Sequence, residues 1–104
     1  MKNTLLLLSL LLSFGLSQSI KAEDAGATLY QNKTCWACHG KDAKTPMTPA
    51  YPKIAGQNEL YIFNQMMDIK TGKRTNGSSN AMAGVMGIVS EEEVKAIAKW
   101  LATQ

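Results

Sequence analysis

The stretch "KTCWACHGKD", residues 33–42, contains both cysteines of the chain, Cys35 and Cys38, and its only histidine, His39. Three side chains that bind metals or react with electrophiles therefore stand within five consecutive positions. Cysteines at this spacing occur in small disulfides, redox dithiols, zinc sites and haem attachment sites. The rest of the sequence has to distinguish these four kinds of site.

Three of the four kinds of site lack what they need elsewhere in the chain. A disulfide between Cys35 and Cys38 would close a very small ring and would stabilise the fold little. Zinc takes four ligands, so a carboxylate would have to join the two cysteines and one histidine. A thioredoxin-like dithiol belongs in a βαβ unit, and no segment alternates convincingly like a strand. The pattern Cys-x-x-Cys-His is the attachment signature of c-type haem, so we predict one haem c, bound through both cysteines, with His39 on the iron.

The first 22 residues have the pattern of a secretory signal peptide. Lys2 gives a positive start, Leu5 to Leu12 form an apolar run, and small and polar residues lead to Ala22. The run is too short to span a bilayer. We expect cleavage after Ala22, with Ser19 as the alternative, followed by a periplasmic location without stable membrane insertion. An uncleaved N-terminal anchor is the competing interpretation.

The remaining chain, residues 23–104, is long enough for one small domain only. Domains of this size commonly need a disulfide, a metal or a large cofactor to supplement a limited core. Removing Lys2 and Lys21 with the signal peptide leaves nine lysines and arginines against eight acidic residues, a net charge of about +1. The chain also lacks a basic stripe with interleaved aromatic residues, so nucleic acid is not an expected partner.

The predicted architecture is all-α, with three helices and two long loops. Helices are predicted over Glu23–Asn32, over Asn58–Thr71 and from Ser90 onwards, and the loops over Thr34–Gly56 and Gly72–Val89. Prolines at three-residue intervals keep the first loop extended. Long loops in so small a domain need something to pack against, and a haem would serve.

Apolar residues recur at helical spacing in the two later helices. Asn58 and Gly72 are suited to cap the ends of the middle helix, whose main apolar face we predict as Leu60, Phe63 and Met67, widened by Ile62, Met66 and Ile69. In the last helix Ser90 and Glu93 form a capping box. The residues expected to face the core there are Val94, Ile97, Ala98 and Leu101, with Trp100 beside them.

A haem iron held by His39 has a sixth coordination position, for which methionine is the usual partner in electron-transfer cytochromes. Of the six methionines, Met1 lies in the signal peptide and Met47 is too close to His39 to reach the opposite face easily. The helical spacing favours core positions for two more, Met66 and Met67. The two candidates that remain are Met82 and Met86, both in "NAMAGVMGIVSEEE".

Several segments together resemble the class I c-type cytochromes, in particular the small bacterial cytochromes c553 and the single-haem halves of cytochrome c4. The segments are "CWACHG" at 35–40, "TPAYPKIAGQ" at 48–57, "LYIFNQMMDIKTGKRTN" at 60–76, "MAGVMGIVSEEEV" at 82–94 and "AIAKWL" at 96–101. Their order and spacing are more specific than any one of them. The resemblance implies a small bundle of helices around one covalently held haem.

The resemblance also implies roles for single residues. The family's methionine ligand stands eight residues before the cap of the last helix, as Met82 stands before Ser90, whereas Met86 is only four residues before it. By the same comparison, the backbone carbonyl of Pro49 accepts the second ring N–H of the ligand histidine, and Arg74 binds a haem propionate. A close crossing of the first and last helices is implied at Gly26 and Tyr30, near Trp100.

A haem iron with protein ligands on both faces has no open position for a substrate, so we expect an electron carrier and not an enzyme. The carrier would move one electron at a time between a donor complex or dehydrogenase and a terminal oxidase or reductase. Redox partners would dock weakly at the haem edge of a monomer, partly through charge. The cations that could form a basic rim there are Lys41, Lys44, Lys53, Lys70, Lys73 and Arg74.

Two other functions are compatible with these residues. The chain could be the haem subunit of a multi-subunit enzyme, such as a flavocytochrome of sulfide oxidation, in which case it would copurify with a flavin or catalytic chain. Alternatively, an iron that Met82 does not hold firmly would be open to ligand binding or peroxidatic chemistry. The glycines Gly84 and Gly87 beside Met82 would permit such lability.

Overall fold

The computed structural model describes the backbone of residues 22–104 and the side chains from residue 25 onwards. Residues 1–21, and with them nearly all of the predicted signal peptide, lie outside the described residues. The described part contains helices and no strand, which confirms the all-α prediction. Its five helices are α1 (Ala22–Asn32), α2 (Trp36–His39), α3 (Glu59–Thr71), α4 (Ser79–Met86) and α5 (Glu91–Ala102). None of these helices has the length and apolar character needed to cross a bilayer.

The first and last helices cross closely and form one side of the core. Gly26 of α1 lies so near α5 that a Cβ atom there would overlap the Ala96 carbonyl oxygen and the Cβ of Trp100. One turn further on, the rings of Tyr30 and Trp100 are 4.9 Å apart between centroids and tilted by 48°. The small-against-aromatic crossing predicted from Gly26, Tyr30 and Trp100 is therefore present. Helix α3 packs against α5, and α4 packs against α3.

Helix α3 begins and ends where the sequence predicts, and its predicted apolar face is confirmed except at Leu60, since Phe63 and Met67 are half-buried against the core. The side-chain oxygen of Asn58 accepts the Tyr61 N–H, and Gly72 ends the helix in the left-handed conformation, with φ 81°. Leu60, in the predicted face, is 65% exposed, and the buried residues are Ile62, Met66 and Ile69. Two overlapping apolar stripes fit helical spacing equally well. Packing against the rest of the molecule buries the stripe of Ile62, Met66 and Ile69 more deeply.

Both the N-terminal capping box of α5 and its buried face are as the sequence predicts. The Ser90 hydroxyl accepts the Glu93 N–H at 3.2 Å, and the Glu93 carboxylate accepts the Ser90 N–H at 2.9 Å. This capping box satisfies N–H groups that have no partner within the helix. The four residues predicted to face the core are all at most 1% exposed: Val94, Ile97, Ala98 and Leu101.

Each of the two predicted loops contains a helix that the sequence did not indicate. In the first loop, Trp36–His39 forms the single turn α2, which carries the attachment signature. In the second loop, Ser79–Met86 forms α4. Glycine, asparagine and serine dominate residues 72–80 and favour a loop, whereas alanine, methionine and valine at 81–86 form a helix once they have a surface to pack against.

Candidate haem-binding site

A cavity of about 440 Å³ brings together side chains that are far apart in the sequence. Cys35, Cys38 and His39 line it from the N-terminal part of the chain, and Met82 and Met86 line it from α4. Much of the remaining lining is apolar and comes from α3, α5 and the first loop, including Ile54, Ile62, Met66, Ile69, Ile97 and Leu101. An open groove of similar volume between α3 and α5 contains no cysteine, histidine or methionine.

His39 is held in one orientation by a backbone carbonyl. The residue is only 8% exposed, and its Nδ1 lies 2.8 Å from the carbonyl oxygen of Pro52. A carbonyl oxygen can only accept, so Nδ1 carries the proton and donates it, which leaves the lone pair of Nε2 for a metal. A histidine that ligates a metal through one ring nitrogen is usually oriented by a hydrogen bond that the other ring nitrogen donates.

The prediction that Pro49 supplies this carbonyl is wrong, because Pro52 supplies it. Pro49 is exposed, inside a turn in which the Tyr51 N–H donates to the Thr48 carbonyl at 3.2 Å. The chain comes back to the His39 ring only after this turn, at Pro52. The two prolines stand three residues apart in one loop, and nothing in their local sequence indicates which carbonyl faces the ring.

The loop that follows His39 is fixed by several hydrogen bonds. Gly40 has φ 86°, and a Cβ atom there would overlap the Thr45 carbonyl, so the position requires glycine. The Tyr30 hydroxyl donates to the Gly40 carbonyl. Further along, the N–H groups of Ile54 and Ala55 both donate to the Ala43 carbonyl, at 3.0 and 3.1 Å. These contacts hold the segment that carries Pro52 against the ligand histidine.

Cys35 and Cys38 are both partly buried and are not joined to each other. Burial raises the pKa of the Cys35 thiol to about 11, so at neutral pH it is the neutral thiol. Within residues 22–104, no three histidine, cysteine, aspartate or glutamate side chains gather closely enough to hold a metal ion between them. Two separate thiols with one oriented imidazole match two thioether attachments and one iron ligand.

Arg74 also lines the cavity, where its guanidinium has only neutral partners. Its Nη1 donates to Gln65 Oε1 at 3.0 Å, and its Nε donates to Asn76 Oδ1 at 3.2 Å. The ion pairs among the described side chains, Lys33–Glu93 and Lys95–Glu92, do not involve it. The arginine thus places an unbalanced positive charge at the cavity wall, which suits an anionic group of a bound molecule.

The arrangement of these residues fits a haem. An apolar cavity receives the ring, the thiols of Cys35 and Cys38 can add to its vinyl groups, and His39 offers a free nitrogen. Met82 and Met86 both line this cavity, Met86 with only 1% of its surface exposed. The sequence interpretation preferred Pro49 to Pro46 and Pro52. It did not include Gln65 and Asn76, the two amides that hold Arg74, because nothing in the local sequence marks them.

Comparison with known proteins agrees with this site. The family model described as cytochrome c matches residues 23–104. The chain is 43% identical to cytochrome c4 of Pseudomonas aeruginosa, over 95% of this chain and 48% of that protein. It is 29% identical to cytochrome c-553 of Nitratidesulfovibrio vulgaris, over 98% of each. The crystal structure of reduced recombinant cytochrome c4 from Pseudomonas stutzeri superposes with a TM-score of 0.68, at 25% identity, over 78% of this chain and 47% of that one.

The chain therefore belongs to the cytochrome c family, and the predicted resemblance to cytochromes c553 and c4 is confirmed. A domain of this family binds haem c covalently, and Cys35, Cys38 and His39 stand at its attachment signature. The chain spans about half the length of the relatives named cytochrome c4 that it matches, with 48% and 50% of the first two covered.

Proposed function

We propose that this protein is a one-electron carrier of the periplasm, cleaved after Ala22 to a single domain of residues 23–104. The observation that carries the proposal is that His39 and Met82 line one apolar cavity together with Cys35 and Cys38. Haem c would supply the Fe(II)/Fe(III) couple, and His39 and Met82 would hold its iron. An iron held by two protein ligands would have no open position for a substrate, which supports a carrier over an enzyme.

The residues around the iron would set its properties in three ways. His39, oriented by Pro52, and Met82 form the ligand pair that raises the reduction potential in c-type cytochromes. The apolar walls exclude water. Arg74, held by Gln65 and Asn76, binds a propionate, and its charge favours the reduced iron because that state is the less positive one.

Partners would be redox proteins that dock at the exposed edge of the haem, on a monomer. Such contacts are small and short-lived, and complementary charge raises their association rate. Lys41, Lys44, Lys53 and Lys73 are exposed and could contribute to a basic rim. Lys70 and Arg74 are partly buried and make hydrogen bonds inside the molecule, so they are weaker candidates for the rim.

The optical spectrum of the purified mature protein tests the ligation. We expect the ferric protein to show the weak far-red band of methionine bound to ferric iron, and the reduced protein to show no shift with carbon monoxide. Met82→Ala should abolish the band. Met86→Ala should keep it, although removing this buried side chain should lower the free energy of unfolding by about 2–5 kcal/mol.

Other results would contradict the proposal in distinguishable ways. A carbon monoxide shift without the far-red band would show an open iron and favour ligand binding or catalysis. Loss of the band in Met86→Ala, with the band retained in Met82→Ala, would move the ligand to Met86. Copurification with a flavin or catalytic chain would make the protein a subunit of an enzyme instead of a free carrier.

A further inference from the structure

Helix α4 carries Met82, and its connections to the rest of the molecule are few. It packs mainly against α3, while Met82, Val85 and Met86 line the cavity. The hydrogen bonds of Ser79 at its start go to Asn76, only three residues earlier in the chain. Elements with few contacts to the rest of a protein open at a lower free-energy cost than its core does.

Lys70 makes a direct link from α3 to the end of α4. Its Nζ donates to the backbone carbonyl oxygen of Met86 at 2.9 Å, across 16 residues of sequence. Among residues 25–104, this is the one side-chain hydrogen bond that joins α4 to another helix. Lys70 itself is half-buried in the last turn of α3, so its side chain is directed by packing as well as by this bond.

The Met86 carbonyl is a favourable acceptor for an ammonium group. It belongs to the last residue of α4, where backbone carbonyls lack partners within the helix and the helix dipole is negative. The same oxygen accepts the Val89 N–H at 3.2 Å, in the turn that leads to α5. Lys70 thereby ties the end of α4 to α3, while the turn beyond it is held separately by Lys33, whose Nζ donates to the Ile88 carbonyl at 3.0 Å.

We propose that Lys70 is a positioning residue for Met82: by holding the Met86 carbonyl, its ammonium keeps α4 against α3 and the Met82 sulfur in place at the iron. This inference rests on the proposed ligation by Met82. Lys70 is not among the residues that line the cavity, so it would act on the ligand only through α4. It acts on the equilibrium between α4 in place and α4 released, and therefore on how often the sixth position becomes free.

Imidazole binding to the ferric holoprotein tests this role. Imidazole is neutral and binds only when the methionine has left, so its apparent affinity follows the population of the released state. Lys70→Met keeps the aliphatic stem but removes the donor, and we expect imidazole to bind about tenfold more tightly, the factor that corresponds to one hydrogen bond with a charged donor. Lys70→Arg, which can still donate to the carbonyl, should stay within about threefold of wild type.

Lys99→Met is the matched control, because Lys99 is an exposed lysine in the last turn of α5. It undergoes the same chemical change and should leave imidazole affinity at the wild-type value. Amide hydrogen exchange gives a readout that does not depend on the iron: exchange over residues 79–86 should accelerate in Lys70→Met and not in Lys99→Met. If Lys70→Met does not accumulate as holoprotein, Lys70→Gln, whose amide is too short to span the same distance, is compared with Lys99→Gln.

The inference is overturned if the Lys70 and Lys99 variants bind imidazole equally. It is also overturned if the denaturation midpoint of Lys70→Met falls while its imidazole affinity stays at the wild-type value, since the bond would then survive release of Met82 and break only when the whole fold unfolds. A wild-type protein without the far-red band would refute ligation by Met82, and this inference with it. A wild-type protein with the band, but with unchanged Lys70 variants, would refute the role of Lys70 alone.

Discussion

At the scale of single residues, the site depends on hydrogen bonds that hold each functional side chain in one orientation. The Pro52 carbonyl sets the tautomer of His39, two amides direct Arg74, and the Tyr30 hydroxyl supports the Gly40 carbonyl next to the ligand histidine. Apart from the bond between Arg74 and Asn76, each joins a side chain to a partner at least nine residues away. A substitution at one of these positions should therefore change the site without rearranging the fold.

Replacing Arg74 should lower the reduction potential. The guanidinium lines the cavity, where it would bind a haem propionate, and its positive charge disfavours the ferric state because that is the more positive state of the iron. Arg74→Gln should shift the midpoint down by on the order of 50 mV, close to the 59 mV that corresponds to a tenfold change for one electron. Potentiometric titration measures this. Lys73→Gln removes an exposed charge one residue away and should have a much smaller effect; equal shifts would show that only net charge matters.

Tyr30 should make stability fall at alkaline pH. Burial, followed by the nearby acidic groups, raises the pKa of its phenol above the ordinary value, and burial remains once the cysteines are thioethers. Because the pKa of Tyr30 is higher in the folded protein than in the unfolded chain, the contribution of the neutral phenol to stability is complete below about pH 10. It is lost as the pH rises from there through the folded pKa. At pH 8, Tyr30→Phe should lose about 1–3 kcal/mol because the Gly40 carbonyl loses its donor.

Denaturant unfolding between pH 8 and pH 12 checks this prediction. The difference between wild type and Tyr30→Phe should shrink above about pH 10, because only the wild type then loses the contribution of the phenol. Tyr61 also lines the cavity but is 54% exposed, so Tyr61→Phe controls for the loss of an exposed phenol from the same site. A difference that stays constant across the range would contradict the raised pKa of Tyr30.

At the scale of helices, the close crossing of α1 and α5 depends on the absence of a side chain at Gly26. Gly26→Ala would place a methyl group against the Ala96 carbonyl and Trp100, both on one rigid helix. We expect a loss of about 1–3 kcal/mol in the free energy of unfolding, the usual cost of overpacking. Thermal or denaturant unfolding of the holoprotein measures it.

The matched control is Gly84→Ala in α4, where an added Cβ meets nothing within 4 Å. Alanine is the better helix former by about 1 kcal/mol, so this change should leave stability equal or slightly higher. If Gly26→Ala proved as harmless as Gly84→Ala, the two helices would have room to separate, and the close crossing would not be a constraint. The spectrum should be unaffected in Gly26→Ala, because the crossing lies outside the ligand set.

At the scale of the whole molecule, the cavity makes the haem part of the fold. Without the ring, the apolar side chains that line the cavity would face water, and leaving one such side chain exposed costs about 1.5–3 kcal/mol. The entire stability of a small domain is about 5–15 kcal/mol. The two loops and α4 therefore need the ring to pack against, and the protein without haem should not keep this structure.

Removing both attachment points tests this dependence. The double variant Cys35→Ser, Cys38→Ser should lose most of its far-ultraviolet circular dichroism and its cooperative unfolding transition, because no covalent haem fills the cavity. Cys35→Ser alone keeps one thioether and His39, so it should retain a folded holoprotein of lower stability. A double variant that unfolds cooperatively near the wild-type midpoint would show that the helices suffice without the cofactor.

The sequence by itself determined the chemistry and the helices whose patterns are local. Cys35, Cys38 and His39 define the attachment signature through their spacing alone. The capping box of α5 and the ends of α3 lie within a few residues of chain, so short-range hydrogen bonding predicts them. The buried face of α5 follows from one unambiguous apolar stripe.

The tertiary structure decided what depends on contacts between distant segments. Local pattern does not distinguish Pro49 from Pro52, because the difference is which carbonyl meets the His39 ring after the loop has folded. It also does not select the buried stripe of α3, show that α4 is a helix, or indicate that Lys70 reaches Met86 across 16 residues. Long-range packing sets these features, and the free energy that selects them appears only when the segments meet around the haem cavity.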